Sequence, residues 1–327
     1  FLTITSGAKL SAPGKTVTMT GYNTALTIQA GAELNDGNYI LDRNTIGFDL
    51  KGKINGTSRE ALTISAKNSL GRGFVYNSDA RFINCTVDVQ ATPGKSEQYA
   101  GLYMTNSSLT TRGVWYYFDP DKGKGGVHLD HSDFYAYKAT GVRAYKNPLA
   151  LLGASELVNG STLTADGSRI TVSAKLSVTD SKVVIKNSTD GGLNVNYKPG
   201  EATFTNSVLE TTNMKYSPSY GAGQSSGPCS ITFTGNSVVN TDASNNTADN
   251  GGANRGTGSS YVVTGGSYLI AYSPDFNHDV VTPTNGDQNG NEWLSLFTLA
   301  DNTINTVNPI NANGVRYNYS VAQASKD

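Results

Sequence analysis

The sequence is poor in the residues that build several common kinds of site. Only two cysteines, Cys85 and Cys229, occur in 327 residues, and charged residues make up 16% with a formal net charge of −1. Two distant cysteines make no disulfide framework, and a chain without excess charge lacks the electrostatic field that attracts nucleic acid. No apolar run reaches the ~18 residues of a membrane-spanning helix. We therefore expect structural thiols, no nucleic-acid partner and no membrane insertion.

The motifs of familiar enzymes are also missing. The chain has no glycine-rich phosphate loop, no nucleophile elbow and no paired-cysteine motif. Helix signals are nearly absent, because short segments rich in Val, Ile, Thr, Phe and Tyr alternate with turns of Gly, Asn, Asp and Ser. These absences leave an all-β chain without a recognisable catalytic set.

One short pattern recurs at steps of 22 to 30 residues. An apolar residue is followed by a polar residue, by Asn, Asp or Gly, by Ser, by any residue and by a second apolar residue. The clearest copies are Phe82-Ile-Asn-Cys-Thr-Val87, Met104-Thr-Asn-Ser-Ser-Leu109, Val178-Thr-Asp-Ser-Lys-Val183 and Phe204-Thr-Asn-Ser-Val-Leu209, and weaker copies begin at Leu129, Leu152, Phe233 and Val263. At the N-terminus, Leu2–Leu10 repeats as Leu26–Leu34, with a looser copy near Leu50. Such a period is typical of a solenoid.

These features predict a parallel β-helix in which identical side chains stack in columns from coil to coil. We expect about 11 coils over residues 1–272, right-handed because parallel crossovers almost always are. One predicted core column contains Phe82, Met104, Leu129, Leu152, Val178, Phe204, Phe233 and Val263. The other contains Val87, Leu109, Phe134, Leu157, Val183, Leu209, Val238 and Tyr268. Between the columns, the Asn/Asp/Gly-Ser pair predicts a tight bend, since Asn and Asp tolerate left-handed backbone angles and Ser bonds nearby backbone.

The repeat is interrupted in three places. Two insertions, at residues 214–230 and 239–260, are rich in Gly, Asn, Ser and Tyr, and must lie in loops because an extra residue inside a strand would reverse its faces. From about Ser273 the repeat is lost. A solenoid end needs a cover, so we interpret 273–327 as a C-terminal cap leading to a following domain. We expect the sequence to be a monomeric fragment of a larger multidomain chain.

Aromatic residues concentrate between residues 113 and 146 and in the first insertion. Tyr and Trp bury much area at low entropy cost while keeping a polar edge, which suits glycan and protein binding. The same rings could instead form lateral ladders that brace adjacent coils. The candidate ligand-binding residues are Trp115, Tyr116, Tyr117, Tyr135, Tyr137, Tyr145, Tyr216 and Tyr220.

Acidic residues offer candidates for catalysis and metal binding, but no complete set. His128, Asp130, His131 and Asp133 fall within six residues, yet alternation and the bend turn them to different faces, so no zinc site is expected. Asp119 and Asp121 are interpreted as part of a surface hairpin. Asp242 and Asp249 are weak Ca²⁺ candidates, and no other cofactor is expected. If the protein were an enzyme, its acids would come from Asp130, Asp133 and Asp180.

On these coils the chain resembles the pectin-lyase-like right-handed parallel β-helix superfamily over residues 1–272. That superfamily contains polygalacturonases, pectate lyases, chondroitinases, phage tailspikes and non-catalytic regions of bacterial adhesins. Of the polygalacturonase motifs, only Asn240-Thr-Asp242 is present. A Thr-, Ser-, Asn- and Gly-rich chain with little Cys looks most like the adhesive region of a Gram-positive cell-wall protein.

The resemblance implies an extracellular, cell-surface module that binds a host or microbial glycan or a matrix protein. The alternative is a polysaccharide lyase or hydrolase acting on a polyuronide or glycosaminoglycan, whose two carboxyls would lie about 5 to 10 Å apart. Weaker alternatives are a passive stalk and an ice-binding solenoid, the latter suggested by Thr16-Val-Thr18-Met-Thr20. An ice-binding face needs a regular Thr array, and Ile83, Asp130 and Gly153 interrupt the Thr column.

Overall fold

The fold was analysed in a computed structural model of residues 1–327. It describes 1–76, 78–92, 96–98, 100–118, 125–138, 149–188, 192–195, 200–212, 220–222, 229–235, 237–242, 260–263, 268–273, 297–299, 305–306 and 315–320. These residues form 35 strands and no helix. The chain divides into two compact units, residues 1–164 (unit 1) and 165–327 (unit 2).

Unit 1 is a right-handed parallel β-solenoid whose coils each contribute a strand to two or three sheets. Sheet A1 contains β1 (Leu2–Ile4), β4 (Thr24–Ile28), β7 (Ile46–Leu50) and β10 (Arg72–Val75). Sheet B1 contains β2 (Lys9–Leu10), β5 (Glu33–Leu34), β8 (Lys53–Asn55), β11 (Ala80–Ile83), β14 (Leu102–Thr105), β17 (Val127–Asp130) and β20 (Ser155–Val158). Sheet C1 contains β3 (Thr16–Thr20), β6 (Gly37–Asp42), β9 (Leu62–Lys67), β12 (Thr86–Gln90), β15 (Ser108–Arg112), β18 (Asp133–Tyr137) and β21 (Thr162–Asp166). Sheet D1 contains β13 (Ser96–Gln98), β16 (Val114–Tyr117) and β19 (Leu149–Leu151).

Unit 2 has the same parallel design, and its strands of three sheets are labelled B2, C2 and D2. Sheet B2 contains β23 (Lys175–Thr179), β26 (Glu201–Thr205), β29 (Ser230–Thr234), β31 (Ser260–Val263) and β33 (Phe297–Leu299). Sheet C2 contains β24 (Lys182–Lys186), β27 (Val208–Thr212), β30 (Val238–Asp242), β32 (Tyr268–Ser273), β34 (Asn305–Thr306) and β35 (Val315–Ser320). Sheet D2 contains β22 (Ile170–Val172), β25 (Leu193–Val195) and β28 (Tyr220–Ala222). The predicted all-β parallel solenoid is confirmed.

The C-terminal residues add strands of both orientations to unit 2. β33 pairs in parallel with β31, whereas β35 pairs antiparallel with both β32 and β34. An antiparallel strand ends a parallel stack because its hydrogen-bond pattern differs from that of the coils. The assignment of residues 273–327 as a C-terminal cap, and of residue 273 as its start, stays a prediction.

The predicted N-terminal repeat and the first core column are confirmed in register. Leu2 pairs with Leu26, and Leu10 with Leu34. The inner column of sheet B1 continues through Ile54, Phe82, Met104 and Leu129, all almost completely buried. In unit 2, Val178, Phe204, Phe233 and Val263 form the equivalent column in register. Identical positions stack because the coils have a common strand register.

Four positions of the predicted columns were wrong: Leu152 in the first column, and Leu157, Val238 and Tyr268 in the second. Leu157, not Leu152, pairs with Leu129, so Leu157 belongs to the first column and the buried Leu163 lies in β21. The bend between them has one more residue, since both Asn159 (φ 56°) and Gly160 (φ 75°) adopt left-handed angles.

The same error of one residue occurs twice in unit 2. Leu209 pairs with Val239 rather than Val238, and Val239 pairs with Leu269 rather than Tyr268. The bend before Val239 contains a left-handed Gly235 (φ 64°) in addition to the residue that precedes Ser237.

The short bends between sheets B and C depend on the Asn/Asp-Ser pair as predicted. The residue before the Ser, or before Cys85 in its place, is left-handed at Asn84, Asn106, His131, Asp180 and Asn206, with φ between 44° and 52°. The hydroxyls of Ser107, Ser132 and Ser207 each donate to a carbonyl two residues earlier, as in Ser107 Oγ to Thr105 O at 2.8 Å. This bond closes the bend locally.

The serines also connect neighbouring coils. The Ser107 hydroxyl accepts a hydrogen bond from the Cys85 backbone N–H at 3.2 Å, and Ser132 accepts one from the Ser107 N–H at 3.0 Å. In unit 2, Ser207 accepts from Ser181 at 3.1 Å, and Ser237 accepts from Ser207 at 3.0 Å. We call this row the serine ladder. It satisfies backbone donors that would otherwise be buried without a partner.

Cys85 occupies the first described position of the serine ladder in unit 1. Its thiol is fully buried and lies 3.6 Å from Ser107 Oγ. Burial raises the pKa of Cys85 to about 12, against the smaller opposing effect of the Ser107 hydroxyl. Both Cys85 and Cys229 are buried free thiols, which agrees with the expectation of structural cysteines.

Candidate functional site

A continuous row of large polar side chains runs along the outer face of sheet B1. Each member comes one position before an inner-column residue, so strand alternation turns it outward. We call this row the outer ladder. In register order it consists of Lys9, Glu33, Lys53, Arg81, Tyr103, His128 and Glu156.

The first three members of the outer ladder neutralise one another. Lys9 Nζ lies 3.1 Å from Glu33 Oε2, and Lys53 forms an ion pair with Glu33 Oε1. Hydrogen bonding from Lys53, followed by Lys9, holds the pKa of Glu33 below its usual value, although burial acts in the opposite direction. Glu33 is therefore an acceptor already engaged by two cations.

The next three members, Arg81, Tyr103 and His128, form a stack. The Arg81 guanidinium lies over the Tyr103 ring, with its carbon 4.6 Å from the ring centroid. Tyr103 in turn stacks on His128, with centroids 4.4 Å apart and planes within 6°. Partial burial, and secondarily the charge of Asp79, raise the pKa of the Tyr103 hydroxyl, while Arg81 opposes this shift. The stack keeps the guanidinium, phenol and imidazole groups in single file.

Arg81 differs from the paired cations Lys9, Lys53 and Arg112 in its partners. Within the described residues it contacts Tyr103 but forms no ion pair with a carboxylate, and its register neighbour on the other side is Lys53. Like charges directly opposite each other on a sheet are unfavourable. Arg81 is also exposed, so a ligand can reach its guanidinium.

The outer face of sheet C1 carries charges that are already paired. Asp88 forms two ion pairs: its Oδ2 lies 2.9 Å from Lys67 Nζ on one side, and its Oδ1 lies 2.5 Å from Arg112 Nη1 on the other. Beside Arg112, Tyr137 is 38% exposed and Tyr135 is half-buried. Two of the predicted binding tyrosines thus lie on one outer face, next to a saturated ion-pair network.

The other aromatic candidates do not join them on a described surface. Tyr116 is completely buried and packs against Phe118 at 5.2 Å and Phe134 at 5.1 Å, so it is a core residue and takes no part in an outer surface. Burial raises its pKa far above the usual range. Of Trp115, Tyr117 and Tyr220 the structure describes the strand backbone only, and Tyr145 and Tyr216 lie outside the described residues.

The acidic candidates are separated by the bends. Asp130 ends β17 and accepts a hydrogen bond from Asn159 Nδ2 at 2.7 Å. Asp133 begins β18 and pairs with Arg59 at 3.0 Å. Asp180 belongs to unit 2, where it occupies a left-handed bend (φ 48°). Both acids of unit 1 thus have structural partners.

The structure does not describe the side chains of the Ca²⁺ candidates. Asp242 is described only as backbone at the end of β30, and Asp249, like Asp119 and Asp121, lies outside the described residues. Among the residues whose side chains are described, no three His, Cys, Asp or Glu groups are arranged to hold a metal ion.

The outer ladder was missed as a site in the sequence. Arg81, Tyr103, His128 and Glu156 are 22 to 28 residues apart and share no local motif. The available signal was their common position, because each immediately precedes a member of the first core column. Glu156 could be assigned to this row only if Leu157 was placed in the first core column. That placement requires a bend at Asn159-Gly160 with one extra residue.

The arrangement is consistent with a pectin-lyase-like parallel β-helix. In the described residues, no helix has the length and hydrophobicity needed to cross a membrane. Comparisons with family models, curated proteins and solved structures yielded no significant match to this chain.

Proposed function

We propose that the protein is a non-catalytic binding module that holds a linear glycan bearing acidic groups along the outer ladder of unit 1. The observation that carries this proposal is the unbroken register of seven hydrogen-bonding or charged side chains from Lys9 to Glu156. Their charged and polar tips match the hydroxyl and carboxylate groups of a polysaccharide.

The geometry of the ladder favours a polymer over a small molecule. Adjacent strands lie about 4.8 Å apart, so six steps span about 29 Å. A single-file row of this length on a sheet face offers no enclosed cavity that would bury a compact ligand. A chain lying along the row would meet a new polar group at each coil.

The charges of the ladder favour acidic groups in that polymer. Lys9 and Lys53 share the single carboxylate of Glu33, and Arg81 adds a cation without an acidic partner in the described part of the chain. A carboxylate or sulfate placed between Lys53 and Arg81 would reduce the electrostatic repulsion between these two positive side chains. The guanidinium plane also suits bidentate binding of such a group.

The proposed setting is the exterior of a bacterial cell, with the module acting as an adhesin on a host or microbial glycan. Its support is compositional: the chain is rich in Thr, Ser, Asn and Gly and has only two cysteines, both buried free thiols. The sheet C1 tyrosines, Tyr135 and Tyr137, form the competing surface for such a ligand.

Retention on immobilised polysaccharides tests the proposal. The panel contains hyaluronan, polygalacturonate, chondroitin sulfate and a neutral glucan, with and without Ca²⁺. We expect retention on an acidic polymer, reduced about tenfold or more by Arg81→Ala and by Tyr103→Ala, since each removes one half of the stacked pair. Tyr137→Ala is the matched control, because it removes an outward tyrosine from the other sheet face.

Three results would count against this assignment. Loss of retention in Tyr137→Ala but not in Tyr103→Ala would move the site to sheet C1. Release of unsaturated or reducing ends from any polymer would show a lyase or hydrolase and direct attention to Asp130 and Asp133. Absence of retention on every polymer would overturn the glycan proposal and favour a protein ligand.

A further inference from the structure

Among the bends that join sheets B1 and C1, the bend between β8 and β9 is the longest, with six residues. Between β8 and β9 the chain uses residues 56–61, whereas the bend between β11 and β12 has only Asn84 and Cys85. We call residues 56–61 the clasp. In a simple solenoid each coil contacts only its neighbours, so a long bend is not required to connect sheets B1 and C1.

The clasp is attached to the coils on both sides of its own. Towards the N-terminus, Thr57 donates from its backbone N–H to Asp36 Oδ1 at 2.8 Å and from its hydroxyl to Asp36 Oδ2 at 3.0 Å. Towards the C-terminus, Asn84 Nδ2 donates to the Gly56 carbonyl at 3.1 Å. Inside the clasp, the Ala61 N–H donates to Ser58 Oγ at 3.1 Å. These bonds fix the base of the clasp.

From this base Arg59 reaches much farther along the solenoid. Its Nη1 lies 3.0 Å from Asp133 Oδ2, and its Nη2 donates to the carbonyl of His131. His131 and Asp133 belong to the bend between β17 and β18, three coils beyond the coil of the clasp. The Arg59 side chain is 26% exposed, and that of its partner Asp133 is 50% exposed.

We propose that the clasp joins the coils of β8, β11, β14 and β17 into one cooperative unit that opens together rather than coil by coil. Two groups of Arg59 engage the far bend, one of them through a charge-assisted bond to a carboxylate, and such bonds are stronger than neutral ones. The last three of these coils carry Arg81, Tyr103 and His128, so the unit contains the whole stack.

Hydrogen exchange followed by mass spectrometry tests this proposal in the whole chain. In the nearest-neighbour description, loss of Arg59 would affect residues 56–61 and the adjoining coils only. In the clasp description, Arg59→Ala raises exchange at least tenfold in peptides covering 127–137 as well, more than 70 residues away in sequence. Arg43→Ala is the matched control, because Arg43 pairs with its own neighbour Asp42 at 3.0 Å and so stays within one coil.

A second variant approaches the contact from its other side. Asp133→Asn removes the carboxylate charge but keeps the volume, and we expect it to raise exchange in residues 56–61 and in the bend of Asn84. The double variant should then change exchange no more than Arg59→Ala alone. Increased exchange confined to residues 56–61 in Arg59→Ala, or additive effects in the double variant, would overturn the proposal.

Discussion

The outer rows of sheets B1 and B2 occupy the same place in the repeat but differ in chemistry. In unit 1, the position before the inner column holds Arg81, Tyr103, His128 and Glu156. In unit 2, the same position holds Ser177, Thr203 and Thr232. Beneath both rows the inner column is apolar and buried. The comparison teaches that the inner column and the bend specify the coil, while the outer row is free to carry function.

The largest effect should come from the inner column of unit 2. Phe204 is completely buried and stacks on Phe233 with centroids 4.9 Å apart. Phe204→Ala should lower the free energy of unfolding by about 3 to 5 kcal/mol, because it leaves a cavity in a close-packed core. Urea denaturation measures this change. Thr205→Ala, one position along and facing outward, should cost less than about 0.5 kcal/mol, and equal costs would remove the distinction between the rows.

A smaller effect is expected at the bend. Ser107→Ala removes the hydroxyl that accepts the Cys85 N–H at 3.2 Å, and a buried donor left without a partner costs about 1 to 3 kcal/mol. The adjacent Ser108→Ala is the control, since Ser108 begins β15 on the outer face and is only half-buried. If thermal denaturation gave the two variants the same midpoint, the serine ladder would have no role in stability.

The outer stack of unit 1 should contribute about 0.5 to 1.5 kcal/mol, as aromatic pairs do beyond their buried area. A double-mutant cycle with Tyr103→Thr and His128→Thr makes unit 1 resemble unit 2 at two positions and isolates the coupling between the rings. Chemical denaturation of the four proteins gives the coupling energy. A value near zero would mean that the rings adjoin without mutual stabilisation, and that the two outer rows are equivalent in stability.

The smallest effect concerns pH and Glu33. The pKa of Glu33 is lowered in the folded chain by Lys53 and Lys9, so the ion pairs stabilise the fold above the unfolded pKa of about 4.3. This contribution should be lost as the pH falls through the lower, folded pKa. Melting temperatures from pH 7 to pH 3 should therefore decline less steeply for Glu33→Gln than for the unsubstituted chain. Glu201→Gln, which changes an exposed carboxyl at the start of β26 in unit 2, is the control.

Much of the fold could be predicted from the sequence because its signal is local and repeated. Phe82, Met104 and Leu129 each begin a recognisable copy of the pattern, and the structure pairs them in register. The error at Leu152 arose because the six-residue pattern does not fit Leu157-Val-Asn-Gly-Ser-Thr-Leu163, whose bend has one more residue. Backbone angles at Asn159 and Gly160 distinguish this bend from the shorter ones.

The candidate site was harder to predict, because its members are neighbours only after the coils have stacked. Tyr103 and His128 are 25 residues apart in register, and Tyr103 lies outside the aromatic-rich stretch of residues 113–146. The density of aromatics there reflected the core instead, since Tyr116 packs inside against Phe118 and Phe134. Aromatic clustering in sequence thus does not separate interior packing from surface recognition when strands alternate.

The serine ladder marks equivalent points in successive coils, so that a whole coil can be removed between two of them. Each hydroxyl accepts the backbone N–H of the preceding coil and meets the same geometry at every step, as Ser181, Ser207 and Ser237 show. Removing residues 182–207 as a block would bring Ser181 opposite Ser237 with the donor and acceptor already matched. A cut that removes part of a coil would leave that amide without its oxygen. The length of the solenoid can therefore be changed in steps of one coil, because the hydrogen bond between successive ladder serines is kept at each step.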